Sequence, residues 1–297
     1  MANQLKVGII GAGAMGLLYA ANFADRSALT LFTRRKEQSD LLNKKGLSLK
    51  DRSELKNIHI QAAEITDTEK LSEQQLLIIA VKQYSLNAIL PVLQKISEQV
   101  PLLFIQNGAA HLDSLKLLGD KRTILLGISE HGAGREDDTT VIWRGHGRTK
   151  YSIFQGELSE TLTDLLHSNP NFPVEKHANY LEIIQEKLFI NAVINPLTAV
   201  LQVQNGKLLE NEEWNALLKV IVKEIQTVLP VENGLEKVEA ICQVTALNFS
   251  SMALDRMNNR MTEIDGIVLP LLEKGEALPT LRALYHIIKG LEGESDV

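Results

Sequence analysis

Cysteine is nearly absent from this chain of 297 residues. Cys242 stands alone, which excludes an intramolecular disulfide framework and a cysteine-rich zinc site. Long apolar runs are missing too. The longest nearly apolar stretch, Leu188 to Leu201, is broken by Asn191, Asn195 and Thr198, and it falls short of the roughly 18–20 apolar residues that span a bilayer. There is no excess of positive charge: 31 Lys and Arg stand against 37 Asp and Glu, for a net charge of −6, so the basic face used in extended nucleic-acid binding is not evident. The opening Met-Ala-Asn-Gln-Leu-Lys-Val has no basic segment followed by an apolar one, and the expectation is a cytoplasmic protein. Neither metal-ligand spacing nor a nucleophile elbow is found. What remains is an ordinary globular composition, 44% hydrophobic and 23% charged, long enough for about two domains.

The first half alternates short apolar runs with helical patterns. Leu5–Ile10, Leu29–Thr33, Leu76–Val81, Leu102–Gln106 and Ile124–Ile128 read as strands; Ala14–Asp25, 37–45 and Ser85–Ile96 read as helices. This alternation predicts an α/β fold with a parallel sheet covered on both faces. Val141–Arg144 and Tyr151–Phe154 read as antiparallel strands around Gly145 and Gly147. Beyond Asn179 only helical patterns remain, at about 179–201, 213–229, 235–247, 263–273 and 280–291. The expected division is a Rossmann-like dinucleotide-binding domain over residues 1–177 and an all-helical substrate or catalytic domain over 178–297.

Gly11-Ala12-Gly13-Ala14-Met15-Gly16 follows the first strand directly and opens the first helix, which is the context a dinucleotide-binding turn requires. Gly11 permits the tight turn, Gly13 lets a pyrophosphate approach the backbone, and Gly16 lets the helix pack close to the sheet. The helix N-terminus then offers unpaired N–H groups to the anion. NAD-binding folds usually end the second strand in Asp or Glu, to accept bonds from the ribose 2′-hydroxyl. Here that strand ends Thr33-Arg34-Arg35-Lys36, with no acid and three cations. Guanidinium suits phosphate oxygens, so the expected cofactor is NADP(H), with Arg34 the best-placed contact and Thr33 or Arg35 in support.

Lys82 follows the strand Leu76–Val81 and Asn107 follows Leu102–Gln106, both at carboxyl ends where ligands bind in open sheets. In the second half, Lys187, Asn191 and Asn195 are spaced four apart and share one face of an otherwise apolar helix. Buried lysine and amide groups cost stability unless paired. The stripe therefore reads either as a network joining helices or as a substrate site with Lys187 as proton donor. Asn179-x-x-Glu182 resembles a capping box, and Pro196 is expected to kink the helix near Asn195. Ser250-Ser251 reads as a helix cap, Thr262-Glu263-Ile264-Asp265 as a helix start, and His131 is ambiguous.

Taken together, these motifs resemble the ketopantoate reductase family over nearly the whole chain. The likeness rests on GAGAMG at Gly11–Gly16, Val81-Lys82-Gln83, Gln106-Asn107-Gly108, Glu130-His131-Gly132 and KLFINAVINPLTA from Lys187 to Ala199. Asn205-Gly206-Lys207-Leu208, Ser250-Ser251-Met252 and Thr262-Glu263-Ile264-Asp265 continue it. The resemblance implies NADPH-dependent reduction of 2-dehydropantoate to (R)-pantoate, towards pantothenate and coenzyme A. It implies Lys187 as general acid and Glu263 as the ligand of the substrate hydroxyl. Asn107, Asn191, Asn195 and Ser251 would contact substrate, and Arg34, Lys82 and Asn107 would contact the cofactor beside the turn residues 11–16. No metal is implied, and the partner is a small molecule rather than nucleic acid or membrane, bound by a monomer or homodimer. The chain departs from the family at Gln106-Asn107-Gly108-Ala109-Ala110-His111, where many members carry Gly-Met-Gly after the Asn. Alternatives are a related NADP-dependent dehydrogenase acting on another 2-oxo or hydroxy acid, or a non-catalytic NADP(H)-sensing protein.

Overall fold

A computed structural model describes residues 4–106, 112–275 and 278–293. They form two compact units that divide between Ile183 and Ile184, inside one long helix.

The first unit holds twelve strands: β1 (Lys6–Ile10), β2 (Ala28–Thr33), β3 (Leu47–Asp51), β4 (Glu54–Ile58), β5 (Gln61–Glu64), β6 (Leu76–Ile79), β7 (Leu102–Phe104), β8 (Ile124–Ser129), β9 (Gly132–Arg135), β10 (Thr140–Gly145), β11 (Thr149–Gln155) and β12 (Val174–Lys176). Eight of them make one sheet in the order β12-β11-β8-β7-β6-β1-β2-β5. From β8 to β5 every neighbouring pair is parallel; β11 is antiparallel to β8, and β12 lies parallel to β11. The near-continuous apolar runs explain this: β6 and β7 are buried along their whole length, as strands covered on both faces must be. The chain leaves β1 towards β2 and β5 on one side, then crosses back to β6 on the other. That reversal puts a ligand crevice at the carboxyl ends of β1 and β6.

The other four strands form a second sheet, β4-β3-β10-β9. The helix Ala14–Phe23 explains why it exists. Its sequence is apolar save for Asn22, and every residue from Gly16 to Ala21 is buried, so one sheet cannot cover it. It contacts β1 and β2 on one side and β3, β9 and β10 on the other, and Leu47, Leu49, Val141 and Trp143 join Leu17, Leu18 and Tyr19 in one core. This corrects the expectation for Val141–Arg144 and Tyr151–Phe154, which do not pair with each other. The first lies in β10, against β3 and β9; the second lies in β11, against β8 and β12. Each strand has apolar surface to bury in a different layer, and the link through Gly145 and Gly147 carries the chain between layers.

The second unit is helical, and among the described residues no strand follows Lys176. Its core joins Phe189, Val193 and Leu197 of the long helix Tyr180–Leu201 to Leu218, Ile221, Val238, Leu271 and Leu281 from the helices Glu212–Gln226, Gly234–Val244, Leu269–Leu272 and Pro279–Gly293. The long helix runs unbroken through Pro196, since apolar residues on both sides of the proline are buried in that core and hold the backbone helical. The pattern over 263–273 divides into Ile264–Ile267 and Leu269–Leu272, because Pro270 cannot donate an intrahelical bond back into the preceding turn. Among the described residues no helix is long and apolar enough to cross a membrane.

Candidate active site

The glycine turn sits at the carboxyl end of β1, and its three glycines have different physical reasons. Gly11 has φ +106°, a conformation L side chains rarely adopt, and its N–H donates to Phe32 O at 2.9 Å. A Cβ there would also meet Val81 Cγ1 at 2.9 Å, beside the residue that precedes Lys82. A Cβ at Gly16 would come within 1.7 Å of Gly11 O, so the helix can approach the turn only without a side chain. Gly13 is the informative one. Among the described residues a Cβ on it would meet nothing within 4 Å, so none of them requires glycine there. No side chain caps the helix it opens, and the amide N–H groups around Ala14 and Met15 lack that protein partner. An open cradle of amides at a helix N-terminus fits a pyrophosphate.

Beside this cradle lies a groove of about 410 Å³, lined by Gly11, Ala12, Gly13, Arg34, Arg35, Gln38, Arg135 and Asp138. Arg34 is exposed and makes no ion pair among the described residues. Arg35 is committed to Asp138. Thr33 is buried, and its hydroxyl donates to Arg35 O at 2.8 Å, shaping the turn that presents the arginines. Arg34 is thus the arginine of this strand end whose charge is still available to a ligand. Lys82, half-buried, stands at the start of a short helical turn, Gln83–Ser85, after β6. Arg135, Asp138 and Gln38 were not expected in this site. They come from β9, the turn after it and the helix Lys36–Lys45, and no spacing in the sequence links them.

In the helical unit, Lys187 is half-buried, while Asn191 and Asn195 are 8% and 6% exposed. Neither asparagine side chain makes a hydrogen bond among the described residues. A structural network would have used those amides, since leaving them unpaired costs about 1–3 kcal/mol each. The capping box expected at the helix start is replaced by a related arrangement: Asn179 Oδ1 accepts Leu181 N–H at 3.0 Å, and Glu182 Oε1 accepts from the Asn179 side-chain amide at 3.0 Å rather than from its backbone N–H.

The two serines separate by role. Ser250 is buried; its Oγ accepts Ala253 N–H at 3.0 Å and lies 2.7 Å from Thr198 Oγ1. Ser251, exposed at the first position of the helix Ser251–Met257, has no such duty. The helix start expected at Thr262-x-x-Asp265 is not closed by a side-chain box. Asp265 turns instead to the helix Pro279–Gly293, accepting Tyr285 OH at 2.9 Å and Lys289 Nζ at 3.0 Å. Glu292 on that helix accepts Thr262 N–H at 2.8 Å and pairs with Lys289 at 3.2 Å. The Thr262 backbone and the Asp265 side chain, which flank Glu263, are thereby held; Glu263 itself is half-buried, at the N-terminal end of the helix Ile264–Ile267. Asn107 lies outside the described residues.

His131 belongs to the core. Its ring stacks on Phe172 at 4.0 Å, and its Nδ1 accepts Gly147 N–H at 3.1 Å. Burial, and secondarily the neighbouring His146, push its pKa down to about 4, so the imidazole is neutral at physiological pH and suited to packing.

A family model for ketopantoate reductase PanE/ApbA matches residues 7–156, and one for the C-terminal part of that family matches 179–292. The 2-dehydropantoate 2-reductase of Listeria monocytogenes is 86% identical over 297 residues, covering 100% of both chains. A crystal structure of a probable 2-dehydropantoate 2-reductase from Bacillus subtilis superimposes with TM-score 0.86 at 35% identity, covering 97% of this chain and 100% of that one. The ternary structure of D-mandelate dehydrogenase with NADH and anilino(oxo)acetate matches with TM-score 0.88 at 23% identity over 99% of this chain and 100% of that one, a likeness of fold alone. The glycine cradle and the helical unit therefore stand in a recognised framework: the chain belongs to the ketopantoate reductase family.

Proposed function

We propose that this chain catalyses the NADPH-dependent reduction of 2-dehydropantoate to (R)-pantoate. The observation that carries the reading is the full-length identity of 86% to the Listeria monocytogenes 2-dehydropantoate 2-reductase. The same reading makes it a cytoplasmic monomer or homodimer acting on a small molecule. NADPH, when bound, supplies the hydride that adds to the substrate's carbonyl carbon. The amides of Gly11–Gly16 hold the pyrophosphate, Arg34 holds the 2′-phosphate and Lys82 is a further cofactor contact. Lys187 stabilises the negative charge that grows on the carbonyl oxygen and gives its proton there. Asn191, Asn195, Ser251 and Asn107 orient the substrate, and Glu263 accepts its hydroxyl. Support for these roles comes from a half-buried lysine on the helix face it shares with two buried amides that make no side-chain hydrogen bond among the described residues, and from the placement of the half-buried Glu263 at the start of the helix Ile264–Ile267.

The direct test follows the loss of NADPH absorbance with 2-dehydropantoate, beside other 2-oxo acids. Turnover that prefers a different 2-oxo acid would replace the substrate assignment, and no turnover with any would point to a cofactor-sensing protein. Two variants test the residues. Arg34→Ala is expected to weaken NADPH and spare NADH, since a charge-assisted phosphate contact is worth about 1.5–3 kcal/mol, roughly tenfold to hundredfold in Kd. Equal use of both cofactors by the unaltered chain would overturn that assignment. Glu263→Gln is expected to raise KM or lower kcat with an unchanged Tm. A residue serving only the helix start would leave the kinetics as they were.

A further inference from the structure

The groove beside the glycine cradle contains a charge cluster that the β2 end does not account for. Asp138 accepts an ion pair from Arg35 and a second from Arg135 at 3.7 Å. The position of Asp138 is built rather than incidental. Asp137 ties the turn after β9 by accepting Thr139 N–H at 2.7 Å and Thr140 Oγ1 at 3.0 Å. Gln38 Nε2 then bridges the turn to the glycine cradle, donating to Asp138 O at 2.9 Å and to Ala12 O at 3.0 Å. The other acid of the turn, Glu136, is engaged away from the cluster by Lys50 Nζ at 2.6 and 2.9 Å. The groove thus brings Arg34, Arg35 and Arg135 around a single carboxylate, Asp138.

Two guanidiniums sharing one carboxylate make an arrangement that phosphate oxygens also satisfy, with stronger charge assistance from a dianion. We propose that Arg135 is a further cation of the subsite for the cofactor's 2′-phosphate, and that Asp138 is the internal anion the phosphate displaces from Arg35 and Arg135. The proposal rests on the reading of this groove as the binding place of NADPH. The competing role for Asp138 is the acid missing from the end of β2, accepting the ribose 2′-hydroxyl of NADH. Both arginines engage Asp138 Oδ1, which sets that carboxylate between two cations that suit a phosphate, and cofactor titration separates the two roles.

The test measures Kd for NADPH and NADH by fluorescence titration, with no substrate present, for the unaltered chain, Arg135→Ala, Arg135→Lys and Asp138→Asn. Arg135→Ala is expected to weaken NADPH about tenfold and leave NADH unchanged, with Arg135→Lys recovering part of the loss. Asp138→Asn removes the competing anion and is expected to tighten NADPH several-fold with NADH unchanged. The inference fails if Arg135→Ala shifts both cofactors equally or neither. It fails also if Asp138→Asn weakens NADPH, or weakens NADH as the ribose-acid role requires. In each of those cases tight NADPH binding by the unaltered chain leaves the functional reading intact, whereas no NADPH binding by that chain overturns both.

Discussion

Lys187→Ala is expected to lower kcat by about 10²–10⁴, the usual contribution of a positioned proton donor, while Kd for NADPH stays close to that of the unaltered chain. The lysine sits half-buried on the face it shares with Asn191 and Asn195, in a helix whose neighbouring residues are apolar and buried. Negative charge accumulates on the substrate oxygen only as hydride arrives, so an ammonium aimed at that oxygen stabilises the transition state more than the ground state. A structural lysine gives the opposite ranking: a lower Tm, with the surviving folded protein near full activity. Single-turnover kinetics together with thermal melting separate the two. Near-normal kcat in a folded Lys187→Ala protein removes Lys187 from the chemistry. A rise in KM alongside the fall in kcat shows that it also holds the substrate, for instance through its carboxylate.

A second large effect is expected at the glycine turn, where two substitutions should act in opposite ways. Gly13 has an extended backbone, φ −81° and ψ −171°, which any residue adopts, and a Cβ there meets no atom of the described residues within 4 Å. Gly13→Val is therefore expected to leave Tm nearly unchanged and to weaken NADPH about tenfold or more, because the side chain fills the space a pyrophosphate needs beside charged hydrogen bonds. Gly16→Ala places its methyl carbon 1.7 Å from Gly11 O, a backbone atom that cannot step aside. Overpacking of this kind costs about 1–3 kcal/mol and lowers Tm by roughly 2–4 °C per kcal/mol in a unit of this size. Calorimetry and fluorescence titration on the two variants check both. Loss of Tm with intact NADPH binding in Gly13→Val would show that Gly13 serves the fold after all.

Much of each candidate region can be read along the chain because its parts are local. The cradle lies within six residues, from Gly11 to Gly16, and the polar stripe repeats every four residues from Lys187 to Asn195. Spacing alone therefore assigns each to a turn or a helix face. The missing acid after Phe32 is equally local. Spacing does not say which side chains are already committed. Arg34 and Arg35 are adjacent and chemically identical, yet Asp138, more than a hundred residues on, engages one and leaves the other. Ser250 and Ser251 are also adjacent, and Thr198 and the Ala253 amide take the first. Asp265 resembled a helix-start acid until Tyr285 and Lys289 drew it to another helix.

The amino-acid sequence by itself determined the α/β unit with its parallel sheet, the helical unit after it, the dinucleotide turn and the polar stripe. Each depends on periodicity or on backbone chemistry that acts within a few residues. Only the tertiary structure decided that β10 and β11 belong to different sheets, and that the largely apolar helix Ala14–Phe23 is covered on its second side. It also decided that Arg135 and Asp138 join the glycine cradle. Those outcomes depend on which apolar surfaces meet and which opposite charges come within a few ångströms. Burial and Coulomb attraction act on distance in space, so residues far apart in the chain settle them.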